Sequence, residues 1–156
     1  MNDVINHIRN RSYMSGIDRD KLRVKATAEV FTPTETVQKM LNKANTIIFS
    51  DSTKIVLDQS CGDGQFLGEV LIRRVENGIE FETALSTIYG VDLMIDNVEL
   101  CRERLLCGRE DLQHIVEKNI VCADALRYHY RFNNTHPYDD EVKQKQQEEL
   151  FDSLFD

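Results

Sequence analysis

Three short β-rich runs set the terms for this chain: KIVLD at 54–58, IYGVDL at 88–93 and NIVCA at 119–123. Each contains or meets an acid at its carboxyl end: Asp58, Asp92 and Asp124. Helical stripes lie between them. Phe66, Leu67, Val70, Leu71 and Val75 recur at helical spacing up to Gly78. Phe81, Ala84, Leu85 and Ile88 make a shorter stripe, and Val98, Cys101 and Leu105 mark another that Gly108 ends. The stretch DLQHIVEK then leads into the third run. Strands alternating with helices imply parallel strands joined by right-handed crossovers. The expected fold is therefore α/β, an open three-layer sandwich of the doubly wound, Rossmann-like kind, truncated after three or four strands.

Upstream, EVFTPTETVQKMLNKA opens a further helix, expected over 33–46. Thr32 and Glu35 have the spacing of a capping box, and Pro33 falls at the first helical position, where its missing N–H costs nothing. Val37, Met40, Leu41 and Ala44 follow the spacing of a buried face. Residues 2–12 and 18–25 are short, charged and helical in character. Three segments result: a helical segment over 1–30, a core over 31–126 and a polar extension over 127–156. In the last, LFDSLFD at 150–156 reads as the start of a fourth strand.

A chain of 156 residues has room for one domain with a real core. It has no apolar run of the roughly 18–20 residues that span a membrane, and its first residues lack the apolar stretch of a signal peptide. A cytoplasmic location is the expectation. The four cysteines, Cys61, Cys101, Cys107 and Cys122, lack metal-ligand spacing, and three read as small buried hydrophobes. No metal site is expected. The net charge of −8 argues against a chain that grips DNA by itself. Charge is uneven: residues 1–30 carry six Lys or Arg, and 139–156 carry seven acids. Arg127 and Arg131 alternate with Tyr128, Tyr130 and Phe132, which suits a loop packed over the sheet or, alternatively, base stacking.

The chemistry centres on VLDQSCGDGQFL at 56–67. In an open α/β sheet, ligands bind outside the carboxyl ends of the strands, where this loop and the three acids share one rim. Gly62 and Gly64 allow a tight turn and close approach to a ligand, and the loop runs into a helix N-terminus. A dinucleotide fingerprint wants a third glycine where Leu67 stands. Asp63 would also oppose a pyrophosphate unless it merely caps the following helix. Acids suit a cationic ligand instead. S-adenosylmethionine, with a sulfonium, an ammonium and no phosphate, fits. Asp92 is placed for two ribose hydroxyls, Asp124 for an adenine amino group, and Leu93 and Met94 for the adenine face.

These segments resemble the cofactor-binding half of the adenine-N6 DNA methyltransferases of restriction–modification systems. Glu29–Pro33 resembles the family's E-V-F-T-P segment, which opens a helix lining the cofactor pocket. Phe31, Thr32 and Pro33 are then pocket residues, although Phe31 suits a core staple equally well. The loop is similar to D-P-x-C-G-x-G-x-F-L, matched by Asp58, Cys61, Gly62, Gly64, Phe66 and Leu67. Asp92 matches the acid after the second strand, and Ala123–Leu126 match A-D-A-L, which adds Ala125 to the set. The resemblance spans about residues 22 to 126, with Gln59 where proline is frequent. It implies S-adenosylmethionine or S-adenosylhomocysteine as the cofactor.

The family transfers its methyl group with an N-P-P-Y or D-P-P-Y motif after the fourth strand, whose aromatic residue stacks on a flipped base. The chain holds only two prolines, Pro33 and Pro137, and the N-T-H-P-Y around the second precedes the expected fourth strand. No catalytic residue is therefore assigned. The resemblance implies a methyltransferase subunit or fragment whose catalytic motif, target recognition and DNA contact come from another chain. The alternative is a non-catalytic S-adenosylmethionine-binding protein acting as a sensor, a sequestering agent or a decoy partner. In the family's strand order the first strand is central, so its open edge calls for a homodimer or a methyltransferase partner.

Overall fold

A computed structural model of the protein describes residues 2–10 and 31–132. Its elements run α1 (Asn2–Asn10), α2 (Thr34–Leu41), α3 (Ile47–Ser50), β1 (Val56–Asp58), α4 (Gln65–Glu76), α5 (Phe81–Ser86), β2 (Ile88–Asp92) and α6 (Ile95–Leu106). A 3-10 turn (Glu110–Leu112), α7 (Gln113–Asn119) and β3 (Ile120–Cys122) follow. All three expected strands form, and they pair in parallel in the order β1-β2-β3. The protein is thus mixed α/β around a small parallel sheet. Among the described residues, no helix is long and apolar enough to cross a membrane. The expected helix over 18–25, the polar stretch from 139 and LFDSLFD lie outside the described residues.

Strand alternation separates two faces. Val56, Ile88 and Ile120 face the main core, with Leu67, Leu71, Ala84, Leu85, Val98, Leu105, Ile115 and Val116 from α4 to α7. Val91, Val121 and Ala123 form a second, smaller cluster. The residues packed on it are Ala125, Tyr128, Tyr130 and Phe132, with no helix among them. The Phe132 ring also lies 4.7 Å, centroid to centroid, from that of Tyr89. The described residues therefore build a helical layer, a sheet and an aromatic strap, where a third layer of helices was expected. Base stacking gives way to packing for these aromatic rings, which contact one another at 5.1 to 6.2 Å.

Four local expectations shift at α2. Pro33 is the N-cap, not the first helical residue; its ψ of 143° is extended, and its C=O accepts from Thr36 and Val37 N–H. No side chain caps the helix, so Thr32 and Glu35 do not form a capping box; Glu35 instead pairs with Lys39 at 2.7 Å. The helix also stops at Leu41, not at residue 46. Arg73 donates to Asn42 Oδ1 at 2.7 Å, and Asn45 Oδ1 accepts the Ile47 N–H at 3.1 Å. Asparagine side chains that bond locally compete with helical backbone and reset the chain into α3. Met40, expected in the buried stripe, is exposed.

Buried Arg74 on α4 fixes the amino ends of two strands. Its guanidinium donates to Lys54 C=O at 2.7 Å and to Thr87 Oγ1. Those groups precede β1 and β2, so the helix leaving the glycine loop also aligns the strands that carry the site.

Candidate functional site

The loop between β1 and α4 is bound to β2 at two points. Cys61 N–H donates to Val91 C=O at 2.9 Å, and Gly62 N–H donates to Asp92 Oδ2 at 2.9 Å. Asp92 Oδ1 accepts from Met94 N–H at 2.9 Å and from the Asn97 amide at 3.2 Å. The acid at the end of β2 thus organises three segments: the glycine loop, the turn 92–94 and the first turn of α6. Asp58 lies beside it. Burial pushes the Asp58 carboxyl above its ordinary value of 3.8, and the negative charge of Asp92 adds to that, against the Ser60 N–H that it accepts at 3.0 Å. A second carboxylate that raises the proton affinity of Asp58 favours positive charge nearby.

Glycine is favoured at both loop positions, for different reasons. Gly64 has φ of +88°, and a Cβ there would lie 2.8 Å from Cys101 Sγ and 3.2 Å from Cys101 Cα. Gly62 has φ of +52°, and its Cβ would meet the Phe31 ring at 3.4 Å. Phe31 is therefore seated on the glycine loop. Thr32 and Pro33 follow it into α2, whose Thr34 Oγ1 bonds the Gln65 amide at 2.7 Å. In this way the start of α2 is brought to the start of α4.

The other expected residues divide. Leu93 C=O accepts a contact from Cys122 Sγ at 3.4 Å, and half-buried Met94 caps α6. Cys61 is buried in the core, where its contact with Cys101 and burial push its thiol well above the ordinary 9.0. Phe66 packs against the main core. Asp124 stands just beyond β3 on the same rim, but its Oδ1 accepts Leu126 N–H at 2.9 Å and its Oδ2 lies 3.7 Å from Arg127 Nε. It shapes the turn that starts the strap. Ala125 belongs to that strap: its C=O accepts the Tyr130 O–H at 2.7 Å. Tyr130 Oη accepts in turn from Gln59 Nε2 at 3.0 Å, so the residue in the proline position ties β1 to the segment after β3.

One expected role is corrected. Asp63 is buried, and both its C=O (2.9 Å from Nε) and its Oδ2 (3.4 Å from Nη2) are taken by Arg104 of α6. Its charge is compensated inside the fold and does not bear on a ligand at the rim. Leu67 and the Asp58–Asp92 pair, not Asp63, are what oppose a pyrophosphate here. Leu67 is buried, and a Cβ on Gly90 of β2 would lie 2.9 Å from Leu67 Cδ1 and 3.0 Å from Cys61 Sγ. The small residue that permits close helix–strand approach is on the strand here, where a dinucleotide loop places it on the helix.

Gly90, Arg104, Asn97 and Gln65 were not singled out from the sequence. Gly90 left a signal, since a glycine inside a strand marks close approach of another segment. Arg104 and Asn97 share the helical spacing of Val98, Cys101 and Leu105, which placed them on the buried face of α6. No protein-family model matches this sequence, and no curated protein or solved structure matches it either.

Proposed function

We propose that the chain binds S-adenosylmethionine as the cofactor-holding part of an adenine-N6 DNA methyltransferase, with the catalytic motif and target recognition on a partner chain. The observation that carries this reading is the bond from Gly62 N–H to Asp92, beside the buried carboxyl of Asp58. An acid at the second strand end and a glycine loop after the first meet at the rim of a parallel sheet, where such ligands bind. Asp58 and Asp92 supply the negative charge that a sulfonium and an ammonium need. Leu93 and Met94 lie next to Asp92 for the adenine face, and Phe31 closes over Gly62. S-adenosylhomocysteine, lacking the sulfonium charge, binds more weakly to the same groups.

Support for a partner comes from the sheet. No strand pairs with the outer edge of β1 among the described residues, and Ile55 and Leu57 there are 66% and 41% exposed. An open apolar edge is a pairing site. A second chain on it stands beside the cofactor rim, where a transfer motif must act, and DNA is met through that chain.

The test is to incubate the purified protein with S-adenosylmethionine and quantify retained cofactor by mass spectrometry, with tritiated methyl transfer to DNA measured in parallel. Retained, intact cofactor without transfer is expected. Transfer by the chain alone would contradict the partner assignment, and absence of retention would contradict the cofactor reading.

A further inference from the structure

The glycine loop is supported from behind by a helix distant in sequence. Arg104, buried on α6, uses Nε and Nη2 on Asp63 and turns Nη1 to the C=O of Ile8 at 3.2 Å. Ile8 is in the last described turn of α1. One guanidinium thus spans the loop and α1. The next residue, Arg9, makes a two-pronged contact with Glu69 of α4, Nε to Oε1 at 3.2 Å and Nη2 to Oε2 at 3.0 Å. Glu69 is fully buried, one turn after the loop enters α4. Removing one partner of such a pair leaves a buried charge uncompensated, which is strongly unfavourable.

A nine-residue helix is too short to hold itself together in water. Helix formation in α1 is therefore coupled to its seating on α4 and α6 through Ile8, Arg9 and their partners. We infer that α1 is a positioning element for the ligand loop, with Arg104 the positioning residue at Asp63 and the Arg9–Glu69 pair the latch that keeps α1 seated. The inference deepens the proposed cofactor site and rests on that reading for its effect on affinity. Its effect on the loop itself is independent of any ligand. Asp63 lies between Gly62 and Gly64, so a displaced Arg104 moves both amides that shape the rim.

The test compares hydrogen exchange in a peptide covering 58–66 with that in one covering β2, for the full chain and for Arg9→Ala. S-adenosylmethionine affinity is measured by calorimetry on the same samples. Arg9→Ala should speed exchange across 58–66 by about tenfold and weaken the cofactor by a similar factor, leaving β2 protected. Arg109→Ala, which breaks an exposed pair with Asp111, should change neither. A folded Arg9→Ala chain with unchanged exchange at 58–66 would overturn the proposal. If Arg9→Ala does not fold, Arg9→Lys keeps the charge and loses the fork, and the same comparison decides. A wild-type chain that binds no S-adenosylmethionine would remove the cofactor reading, while the exchange comparison would still judge the coupling.

Discussion

The glycine-loop corner and the outer side of β1 are built to opposite standards. At the corner, successive loop residues Cys61, Gly62 and Asp63 are bonded to β2 or α6, and added bulk at Gly64 or Gly90 would collide with buried atoms. On the outer side, Ile55 and Leu57 stand in solvent beside an edge that no described strand pairs, and the cover over the rest of that face is a strap of aromatic side chains. Buried polar groups are satisfied in functional cores because leaving them unpaired is costly. An apolar edge left open signals that its partner is elsewhere. The contrast supports the proposal of a complete ligand corner on a sheet that awaits a second chain.

The comparison breaks most readily at Gly64. Gly64→Ala forces a side chain into left-handed backbone and against Cys101, so a loss of about 3 kcal/mol in stability is expected by denaturant titration. Gly62→Ala meets only the Phe31 ring at 3.4 Å, which can give, so a loss of about 1 kcal/mol is expected. Equal losses would mean that the loop is not packed as described.

Asp58 sharpens the electrostatic side. Its raised carboxyl holds a proton more tightly folded than unfolded, so its stabilising contribution is complete below 3.8 and is lost as pH rises through its shifted value. A bound cation needs the ionised form. Calorimetric affinity for S-adenosylmethionine should therefore fall as pH drops through a window above 3.8, with proton release on binding inside that window. Asp58→Asn should remove this part of the pH dependence and cost roughly tenfold in affinity at neutral pH. Unchanged pH dependence in Asp58→Asn would place the cation elsewhere.

The strap and the edge carry the smaller effects. Tyr130→Phe removes the donor to Ala125 and the acceptor for Gln59, and about 1 kcal/mol is expected to be lost by thermal unfolding. Leu57→Lys should change the stability of the isolated chain by no more than about 0.5 kcal/mol. In light scattering of the assembled protein, the same change should release the second chain. A large loss of stability in an isolated Leu57→Lys monomer would show that the edge is covered from within.

What was legible in the sequence was local. The three strands are apolar runs punctuated by acids, and the glycine loop announces itself by Gly62 and Gly64 at a strand–helix junction. What was not legible depends on long separations. Arg104 reaches 41 residues to Asp63 and 96 to Ile8, and Arg9 reaches 60 to Glu69. No local pattern distinguishes those arginines from solvated ones, so the sequence offers Asp63 only as a charge opposing a pyrophosphate or as a helix cap. The alternation of Arg127 and Arg131 with Tyr128, Tyr130 and Phe132 suits a loop over the sheet, and the three aromatic residues pack there; what it does not show is that this strap stands where a third layer of helices is expected. The α2 boundary failed for a local reason: Asn42 and Asn45 use their side chains to end a stripe that apolar spacing alone continues.

The central claim is that Asp92 and the glycine loop hold S-adenosylmethionine. The most direct measurement is a calorimetric titration of the protein with S-adenosylmethionine and with NAD, repeated on Asp92→Asn. That substitution keeps the shape and an acceptor oxygen but removes the charge. The account predicts saturable binding of S-adenosylmethionine, none of NAD, and a loss of affinity in a folded Asp92→Asn chain. Binding of NAD, or S-adenosylmethionine binding indifferent to Asp92→Asn, would contradict it.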